Sequence, residues 1–394
     1  MRVKIDKISH DFKGICNVDN KVIFVPGTFP GEIVDIKIVK NTKKYSEGKV
    51  ISFVEVSEKR EESKCPYSRI CGGCSISHIE YIMSLQYKKD IVVDIIKRYA
   101  DINIDPSIIS NGEVYGYRNK VSFKILEGHL ALTEEKSNKL VKVNQCLLAN
   151  GNINKVVRLI NDINLKYVTD VIIRGSQDIM VIFNGRIDKD SVISILSGYV
   201  SSIILNGETI YGRNHITTNV NGYEFAIFPT SFFQVNTNMI KSLYDRILKY
   251  AKGGRSLLDL YCGAGTIGIY LANSFELVRG IEINKDAIRG ANLNKQINNI
   301  NNITFECKNV DDMGEISEDV VVVDPPRSGL DRNVIDKLLS SEVEKIIYVS
   351  CNPITFARDL NILKVKYKLE DIVLFDMFPN TRHVECVTLL QRKD

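Results

Sequence analysis

The sequence lacks any long apolar segment. No run of eighteen or more apolar residues occurs among its 394 residues, which excludes a membrane-spanning helix of ordinary length. The first residues, Met1-Arg-Val-Lys-Ile-Asp6, contain no apolar stretch followed by a small-residue cleavage site, so they do not resemble an export signal. We therefore expect a cytoplasmic protein that has no membrane partner.

A large excess of charge of one sign is also missing. The formal net charge is only +4, from 52 basic and 48 acidic residues, which by itself does not indicate a nucleic-acid partner. The whole excess lies in residues 1–54, where ten lysines and arginines face six acidic residues. With 44% hydrophobic and 25% charged residues, the composition excludes disorder as the main state. The length is sufficient for two or three folded domains.

Cysteine, in contrast, is well represented. The chain contains nine cysteines, an odd number that, without an export signal, indicates a reducing compartment and thiols with chemical roles. Cys65, Cys71 and Cys74 cluster around two glycines that permit a tight loop, and Cys146 lies downstream in a polar context. This spacing predicts a site with four thiolate ligands, with packed thiols as the alternative. Zinc and an iron–sulfur cluster both accept four thiolates, so the spacing leaves both open.

The N-terminal part of the chain is predicted to be a small β-barrel. Segments rich in valine and isoleucine alternate there with Pro-Gly turns, and the rim would carry the basic stretch from Lys37 to Lys49. The predicted strands are Val3–Ile8, Val22–Val25, Glu32–Val39 and Gly48–Val56. After a linker rich in charge, apolar residues at helical spacing predict one long helix from His78 to Tyr99.

The remainder of the chain divides into two regions with different sequence patterns. Residues 113–228 are predicted to be mostly β-structure, with turns rich in glycine, asparagine and aspartate. From about residue 231, short apolar runs alternate with helical stretches. Such alternation is typical of a doubly wound parallel sheet, so an α/β fold is predicted for the C-terminal part.

A glycine-rich loop follows the first of these apolar runs. Leu257–Leu260 leads through Gly263 and Gly265 into an apolar helix, a pattern in which glycines let the backbone approach a nucleotide cofactor. The next run ends at Glu282, whose carboxylate can accept hydrogen bonds from ribose hydroxyls. This pattern by itself fits NAD as well as S-adenosylmethionine.

The fourth apolar run ends in Asp324-Pro-Pro-Arg327. Consecutive prolines force a rigid extended loop at the carboxyl edge of the sheet, where ligands bind. S-adenosylmethionine methyltransferases often have a short acidic Pro-Pro loop there, whereas hydride-transfer enzymes have no use for one. The loop therefore favours S-adenosylmethionine over NAD, with an ordinary strand stop as the alternative.

A cysteine follows the fifth apolar run directly. Cys351 lies between a strand and a predicted helix, whose N-terminus would lower the pKa of the thiol, and we interpret it as a nucleophile. His383 and Glu385 are predicted to point the same way on a later strand, where a carboxylate near the thiol can accept a proton. The alternatives are a packed cysteine and a solvated strand face. We interpret four further cysteines as packing thiols: Cys16, Cys262, Cys307 and Cys386.

Taken in order, these motifs resemble the RNA (uracil-5-)-methyltransferase family, specifically its branch with a TRAM domain and an iron–sulfur cluster that modifies 23S ribosomal RNA. The resemblance covers nearly the whole chain. It is carried by the four clustered cysteines and by Phe232-Phe-Gln234-Val-Asn236, Asp259-Leu-Tyr-Cys-Gly-Ala-Gly265, Asp324-Pro-Pro-Arg327, Ser350-Cys-Asn-Pro353 and His383-Val-Glu385. Each motif alone is of moderate specificity, and their order makes the set highly specific.

The resemblance implies three domains. A TRAM barrel of the OB type would span residues 1–56 and hold RNA. A central β-rich iron–sulfur domain would comprise residues 57–76 and 109–230, and a Rossmann-like methyltransferase domain residues 77–108 and 231–394. The same analogy implies a 4Fe–4S cluster on Cys65, Cys71, Cys74 and Cys146.

The resemblance also implies a mechanism. The Cys351 thiolate would add to carbon 6 of uracil, carbon 5 would attack the methyl group of S-adenosylmethionine, and Glu385 would then remove the carbon 5 proton before Cys351 leaves. The target base would have to leave its stack to reach the cleft. The family's cofactor contacts correspond here to Gln234, Tyr261, Glu282 and Asp324, beside the loop glycines Gly263 and Gly265.

The expected partner is RNA, with 23S ribosomal RNA first, and the expected state is a monomer. Tyr115-Gly-Tyr-Arg118-Asn-Lys120 offers aromatic and cationic side chains suited to RNA. The same chemistry on transfer RNA is the first alternative, since the catalytic residues would be identical. A noncatalytic RNA-binding iron–sulfur protein is the second, and the presence of both Cys351 and Glu385 argues against it. A dehydrogenase is the third.

Overall fold

The computed structural model describes residues 1–68, 70–135 and 137–393. Within these ranges the chain forms four β-sheets, of six, seven, two and eight strands, together with eight α-helices. Among the helices so described, none combines the length and hydrophobicity that a membrane span needs.

The elements alternate between strand-rich and mixed segments along the chain. In chain order the strands are β1 (Arg2–Lys4), β2 (Lys7–Ile8), β3 (Gly14–Val18), β4 (Lys21–Val25), β5 (Ile33–Asn41), β6 (Tyr45–Glu55), β7 (Ser107–Ile109), β8 (Lys120–Leu126), β9 (His129–Thr133), β10 (Leu140–Lys142), β11 (Val168–Gly175), β12 (Ile179–Gly185), β13 (Ser202–Leu205), β14 (Glu208–Gly212), β15 (Ile216–Val220), β16 (Tyr223–Ile227), β17 (Ser256–Leu260), β18 (Leu277–Glu282), β19 (Ile303–Cys307), β20 (Val320–Val323), β21 (Lys345–Ser350), β22 (Tyr367–Phe375) and β23 (Glu385–Arg392). The helices are α1 (Tyr81–Ala100), α2 (Gly151–Asn161), α3 (Lys189–Leu196), α4 (Thr237–Ala251), α5 (Thr266–Leu271), α6 (Lys285–Ile297), α7 (Arg332–Ser340) and α8 (Pro353–Leu363).

The N-terminal sheet has the order β1-β5-β6-β4-β3-β2 and a small apolar core of its own. Inward-facing residues such as Val25, Val34 and Ile36 form this core, as expected where apolar and polar residues alternate along a strand. The sequence predicted four strands here instead of six. It merged β1 with β2 and missed β3, in which Gly14 and Asn17 weaken the apolar alternation.

The N-terminal sheet is docked on the C-terminal α/β unit through two aromatic side chains. Phe12 and Phe29 are 4% and 0% exposed and lie in the same apolar cluster as residues of the large sheet. Arg60, in the linker after β6, donates hydrogen bonds to both carboxylate oxygens of Glu32, at 2.6 and 2.8 Å. Because the side chain of Glu32 is completely buried, this bidentate pair fixes the linker to the N-terminal sheet.

The central sheet has the order β10-β9-β8-β11-β12-β13-β14 and packs against α2 and α3. These two helices add to the mostly β content that the sequence predicted for this region. The separate hairpin of β15 and β16 packs differently. Its buried residues Ile216 and Phe225 lie in one apolar cluster with Leu243 of α4 and Ile269 of α5.

The C-terminal unit contains the predicted parallel sheet, with the strand order β19-β18-β17-β20-β21-β23-β22-β7. Strands β17 to β21 pair in parallel, whereas β23 runs antiparallel to both of its neighbours. Two early elements complete the unit: α1 packs against α8, and β7 pairs with β22. Because parallel strands end at the same edge, the loops after β17, β18, β20 and β21 lie together.

Candidate active site

Cys351 is held between the end of β21 and the start of α8. The side chain of Asn352 accepts a hydrogen bond from the backbone N–H of Ile354 at 3.2 Å and so caps the helix, and Pro353 occupies the first helical position. Ser350 Oγ donates to the carbonyl of Asn352 at 3.1 Å. These local bonds fix the backbone on both sides of the half-buried Cys351 thiol.

Glu385 lies directly across from Cys351. Strands β21 and β23 are antiparallel, with Ser350 paired to Cys386, so one step along this register sets Cys351 opposite Glu385. The side chain of Glu385 is almost fully buried, with 2% exposed. The sequence also predicted His383 on this strand, which is wrong: β23 begins at Glu385 and His383 lies in the preceding loop.

The carboxyl groups of the buried Glu385 and the half-buried Asp324 are hard to ionise. Burial and the neighbouring Asp324 raise the pKa of Glu385 well above its ordinary value, while the Arg327 guanidinium opposes the rise. Burial also raises the pKa of Asp324, to about 7. Asp324 follows β20, the strand beside β21, and its backbone N–H donates to Leu260 at 3.4 Å. Both carboxyls can therefore bind a proton near neutral pH.

The pKa of Cys351 is raised to about 11, by burial and by the carboxylates of Glu385 and Asp324, against the opposing Arg327. The sequence predicted a lowered pKa from the N-terminus of α8, and that direction is wrong. Burial and two nearby acids outweigh the helix because both disfavour a thiolate. In the protein alone, the thiol is protonated at neutral pH.

Arg327 joins the proline loop to the loop before β23. Its guanidinium donates to His383 Nε2 at 3.4 Å, and its carbonyl accepts a hydrogen bond from Asn352 Nδ2 at 2.9 Å. Burial and Arg327 lower the pKa of His383 to about 4, so the imidazole is neutral and can accept this hydrogen bond. Arg327 itself is exposed and faces the space beside Cys351.

A cavity of about 310 Å³ opens beside Cys351, which we call the catalytic pocket. Its walls come from three parts of the chain: the N-terminal sheet, α1 and the edge of the large sheet. Lining residues include His10, Asp11, Ile91, Ile95, Arg327, Cys351, Arg382 and His383. No sequence motif indicated the first four, because they reach the pocket only through the docking of separate units.

Glu282 and Gly263 meet as the glycine-rich loop predicted. The N–H of Gly263 donates to Glu282 Oε2 at 3.2 Å, and the N–H of Asn284 donates to Oε1 at 2.8 Å. Gly265 has a left-handed φ of 75° at the start of α5, and a Cβ there would lie 2.5 Å from the ring of Phe305. Only glycine permits both this backbone conformation and this close approach.

Tyr261 and Gln234 are not brought to the Glu282 carboxylate by any contact between described residues. The side chain of Tyr261 packs against the apolar cluster that includes α7 and α8, and its buried hydroxyl has no hydrogen-bond partner among those residues. Gln234 is 7% exposed and lies just before α4, where its carbonyl accepts a hydrogen bond from Asn119 Nδ2 at 2.9 Å. Their predicted contacts with a cofactor remain predictions.

The four clustered cysteines line a second cavity, of about 450 Å³, which we call the cysteine cavity. Cys65, Cys71, Cys74 and Cys146 are all free and half-buried. Burial and the other three thiols raise the pKa of Cys74 to about 12. Across residues 1–68, 70–135 and 137–393, no three metal-binding side chains converge closely enough to hold one metal ion.

The loop that carries three of these thiols is fastened to a neighbouring hairpin. The N–H of Gly72 donates to Thr133 at 3.0 Å, and Cys71 forms a β-bridge with Glu134. A Cβ at Gly72 would lie 2.9 Å from the backbone of Glu135, so this approach requires glycine. Arg118 also lines the cavity, and its buried Nε lacks a hydrogen-bond acceptor within the described ranges.

The other cysteines differ in burial. Cys16, Cys262 and Cys386 are buried in apolar clusters or against the strands, which confirms that they pack. Cys307, at the end of β19, is exposed, so its interpretation as a packing thiol was wrong.

Comparison with known proteins identifies two families in the chain. The family described as tRNA (uracil-5-)-methyltransferase matches residues 193–320 and 308–393, and the TRAM domain matches residues 1–51. An uncharacterised RNA methyltransferase of Aquifex aeolicus is 33% identical over 100% of this chain and 99% of its own length. Another, from Halalkalibacterium halodurans, is 30% identical over 100% of this chain and 97% of its own length.

A solved structure shares the whole architecture. Pyrococcus abyssi tRNA (uracil-54, C5)-methyltransferase, in complex with S-adenosyl-L-homocysteine, superposes with a TM-score of 0.82 and 26% identity. The match covers 99% of this chain and 100% of that chain. The chain therefore belongs to the tRNA (uracil-5-)-methyltransferase family, carries a TRAM domain at its N-terminal end, and is an RNA methyltransferase of the uracil-5 type.

Proposed function

We propose that the enzyme methylates carbon 5 of a uridine in RNA through a covalent adduct between Cys351 and carbon 6. The observation that carries this proposal is the pairing of β21 with β23, which sets the Cys351 thiol opposite the buried Glu385 carboxyl. A nucleophile and a proton acceptor on the same sheet edge are the two groups that this reaction needs.

Each proposed step uses a group of this chain. Cys351 gives up its proton to the Asp324 carboxylate, which leaves Glu385 ionised for the later step, and the thiolate adds to carbon 6, which makes carbon 5 nucleophilic. S-adenosylmethionine, when bound, supplies the methyl group on a sulfonium that leaves as the thioether. Glu385 then takes the proton from carbon 5, the double bond re-forms and the bond from carbon 6 to Cys351 breaks. The raised pKa of Glu385 suits it to accept that proton.

The cofactor would lie along the glycine-rich loop. Glu282 is oriented by the N–H groups of Gly263 and Asn284, and the lone pairs left on its two oxygens can accept ribose hydroxyls. Gly265 keeps the loop open beside them. We assign Asp324, Gln234 and Tyr261 to cofactor binding by the correspondence of their motifs with the family.

We propose 23S ribosomal RNA as the substrate and transfer RNA as the second candidate. The combination of a TRAM domain with four clustered cysteines favours the first. The overall likeness to a P. abyssi enzyme named for uracil 54 of tRNA favours the second. We also propose that the enzyme works as a monomer in the cytoplasm, where its nine thiols stay reduced.

We propose that the cysteine cavity holds a 4Fe–4S cluster on Cys65, Cys71, Cys74 and Cys146. A four-iron cluster has a volume of its own, so its ligands lie further apart than those around one zinc ion. Four free thiols that line one cavity of about 450 Å³ are a donor set that such a cluster accepts. Arg118 Nε, which has no hydrogen-bond partner among the described residues, would donate to the negatively charged cluster.

The methyl-transfer proposal is tested with RNA in which uridine is replaced by 5-fluorouridine. Fluorine cannot be removed as a proton, so the adduct should persist as a complex of protein, RNA and methyl group. We expect a trapped complex with 23S ribosomal RNA transcripts and less with transfer RNA. The reverse preference would contradict the ribosomal assignment, and the absence of any complex would contradict the covalent mechanism.

The cluster proposal is tested on protein purified without oxygen. We expect a brown protein that contains about four iron and four sulfide per chain. A colourless protein that carries zinc would contradict the proposal and leave a zinc site on the same thiols.

A further inference from the structure

The catalytic pocket and the cysteine cavity share one wall. The segment Asp376–Val384, which connects β22 to β23, will be called the bridging loop. Arg382 and His383, near its end, line both cavities. A nine-residue segment thus separates the four clustered thiols from Cys351.

On one side the bridging loop is bonded to residues 65–76, which carry three of the four thiols and will be called the cysteine segment. The N–H of Arg382 donates to Ser75 Oγ at 3.2 Å, and the N–H of Ile76 donates to the carbonyl of Asn380 at 3.3 Å. Ile76 is 1% exposed and lies in the apolar cluster of the C-terminal unit, together with Val384. Ser75 follows Cys74 directly, so the residue that holds the bridging loop is the chain neighbour of the residue that carries the Cys74 thiol.

On the other side the bridging loop is anchored by a buried ion pair. Lys88 Nζ lies 2.6 Å from Asp376 Oδ1, and neither side chain is exposed. Tyr81 donates to the second carboxylate oxygen at 2.8 Å, and Lys88 also donates to the carbonyl of Phe378 at 3.2 Å. The start of the loop is therefore fixed by α1.

The middle of the bridging loop is held by the Tyr117 hydroxyl, which donates to the carbonyl of Pro379 at 2.9 Å, and by Asn380, which donates to the carbonyl of Val114 at 2.8 Å. Beyond these contacts, Ser75 holds the backbone at Arg382.

The end of the bridging loop leads directly to Glu385, the proposed proton acceptor. His383 accepts a hydrogen bond from Arg327, and Glu385 begins β23 two residues later. The N–H of His383 donates to Thr381 Oγ1 at 3.3 Å, so a shift of the backbone at Arg382 would be passed on to His383.

We propose that the cysteine segment is a positioning element of the active site. By holding the backbone at Asn380 and Arg382, Ser75 and Ile76 set where His383 and its partner Arg327 lie relative to Cys351, whereas strand pairing holds Glu385. A change in the cysteine segment would then be felt at the wall of the catalytic pocket. This inference rests on the proposed roles of Cys351 and Glu385, and Ser75 is a positioning residue within it.

The test uses the full-length protein and the variant Ser75→Ala, which removes the acceptor for Arg382 and leaves every cysteine in place. Ser68→Ala is the matched control, since Ser68 lines the same cavity and its backbone N–H, which donates to the carbonyl of Cys65 at 3.1 Å, is unchanged by the substitution. Hydrogen–deuterium exchange of residues 376–384 reports the loop. The rate of adduct formation with 5-fluorouridine RNA and the affinity for S-adenosylmethionine report the two halves of the active site.

We expect Ser75→Ala to speed exchange in the bridging loop about fivefold, as for the loss of one ordinary hydrogen bond. Adduct formation should slow several-fold, while the affinity for S-adenosylmethionine, which depends on Glu282 elsewhere, stays unchanged. Ser68→Ala should change neither the exchange of the bridging loop nor the rate of adduct formation. Cys74→Ser, which disturbs the same segment from inside the cavity, should change exchange in the same direction as Ser75→Ala.

Exchange that stays at the level of the unaltered protein in both Ser75→Ala and Cys74→Ser would overturn the proposal. So would faster exchange in the loop with an unchanged rate of adduct formation, since the loop would then move without affecting the thiol. If the unaltered protein forms no adduct, the proposed chemistry fails, and the exchange data alone decide whether the two cavities are linked.

Discussion

The catalytic pocket and the cysteine cavity both contain thiols that resist ionisation, but the causes differ. Beside Cys351, burial acts together with two carboxylates that can themselves take up a proton. Around Cys74, burial acts together with three other thiols. The Cys351 thiolate can form when its proton moves to a neighbouring carboxylate. The Cys74 thiolate can form when a positive charge is added beside it. The same direction of pKa shift thus accompanies two different proposed roles, proton transfer beside Cys351 and metal binding around Cys74.

The largest expected effect comes from removing the reactive thiol. Cys351→Ala should reduce methyl transfer by more than about a thousandfold, because the covalent step has no substitute. The measurement is transfer of a labelled methyl group to RNA, with adduct formation followed on a denaturing gel. Cys16→Ala, at a thiol in the core of the N-terminal sheet, is the control. Methyl transfer that survives in Cys351→Ala would place the nucleophile elsewhere.

Replacing the proposed proton acceptor should stop the reaction after methyl transfer and before release of the product. Glu385→Gln keeps the shape of the side chain but cannot take the carbon 5 proton, so turnover should fall about a hundred- to ten-thousandfold. The methylated adduct should then accumulate with ordinary uridine RNA, which mass spectrometry of the intact complex would detect. Glu315→Gln, at an exposed carboxylate, should behave as the unaltered enzyme. Loss of turnover without any accumulated adduct would mean that Glu385 acts before methyl transfer.

A substitution in the cysteine cavity should reduce the metal content of the protein more than it reduces the rate of adduct formation. Cys74→Ser removes one of the four thiols proposed to hold the cluster, and we expect the iron content per chain to fall, with a smaller loss of adduct formation than in Cys351→Ala. Iron and sulfide are measured per chain after anaerobic purification. Full iron content in Cys74→Ser would separate the cavity from the proposed cluster and weaken the contrast between the two sites.

The smallest effect concerns the pH at which Cys351 reacts. A carboxylate favours the neutral thiol, so removing the charge in Asp324→Asn should lower the pKa of Cys351 from about 11 and raise its thiolate fraction at a given pH. At pH 8 we expect alkylation by iodoacetamide to be up to about tenfold faster. Below about pH 7 the difference should disappear, because Asp324 is protonated there in the unaltered enzyme. A slower rate in Asp324→Asn would reverse the assigned direction.

Residues at the ends of parallel strands were the most predictable from the sequence. Glu282, Asp324 and Cys351 each follow a short apolar run, and parallel pairing brings such ends to one edge whatever the loops between them do. The glycine-rich loop was predictable for the same reason, because a positive φ at Gly265 is a local requirement. The cysteine segment was predictable from spacing as a thiol cluster, since the glycines between the thiols restrict the loop.

Features that depend on contacts between units were not predictable. His10 and Asp11 line the catalytic pocket because Phe12 inserts into the apolar cluster of another unit, and no local pattern records that contact. The pKa direction of Cys351 depends on burial and on two acids far away in sequence, which outweigh the nearby helix. The alternation of residues alone placed His383 on the strand. In the structure the Thr381 hydroxyl donates to the carbonyl of Phe378 and closes a turn, and β23 begins only at Glu385.

The ion pair between Lys88 and Asp376 has a consequence for the order in which the protein folds during synthesis. The two residues are 288 positions apart, and translation at 5 to 20 residues per second separates their appearance by roughly 15 to 60 seconds. During that interval α1 has no partner for Lys88 and no sheet for apolar residues such as Val92 and Ile96. The helix α1 should therefore stay exposed to chaperones until the last strands arrive, and a chain stopped before residue 376 should leave Lys88 without its buried partner.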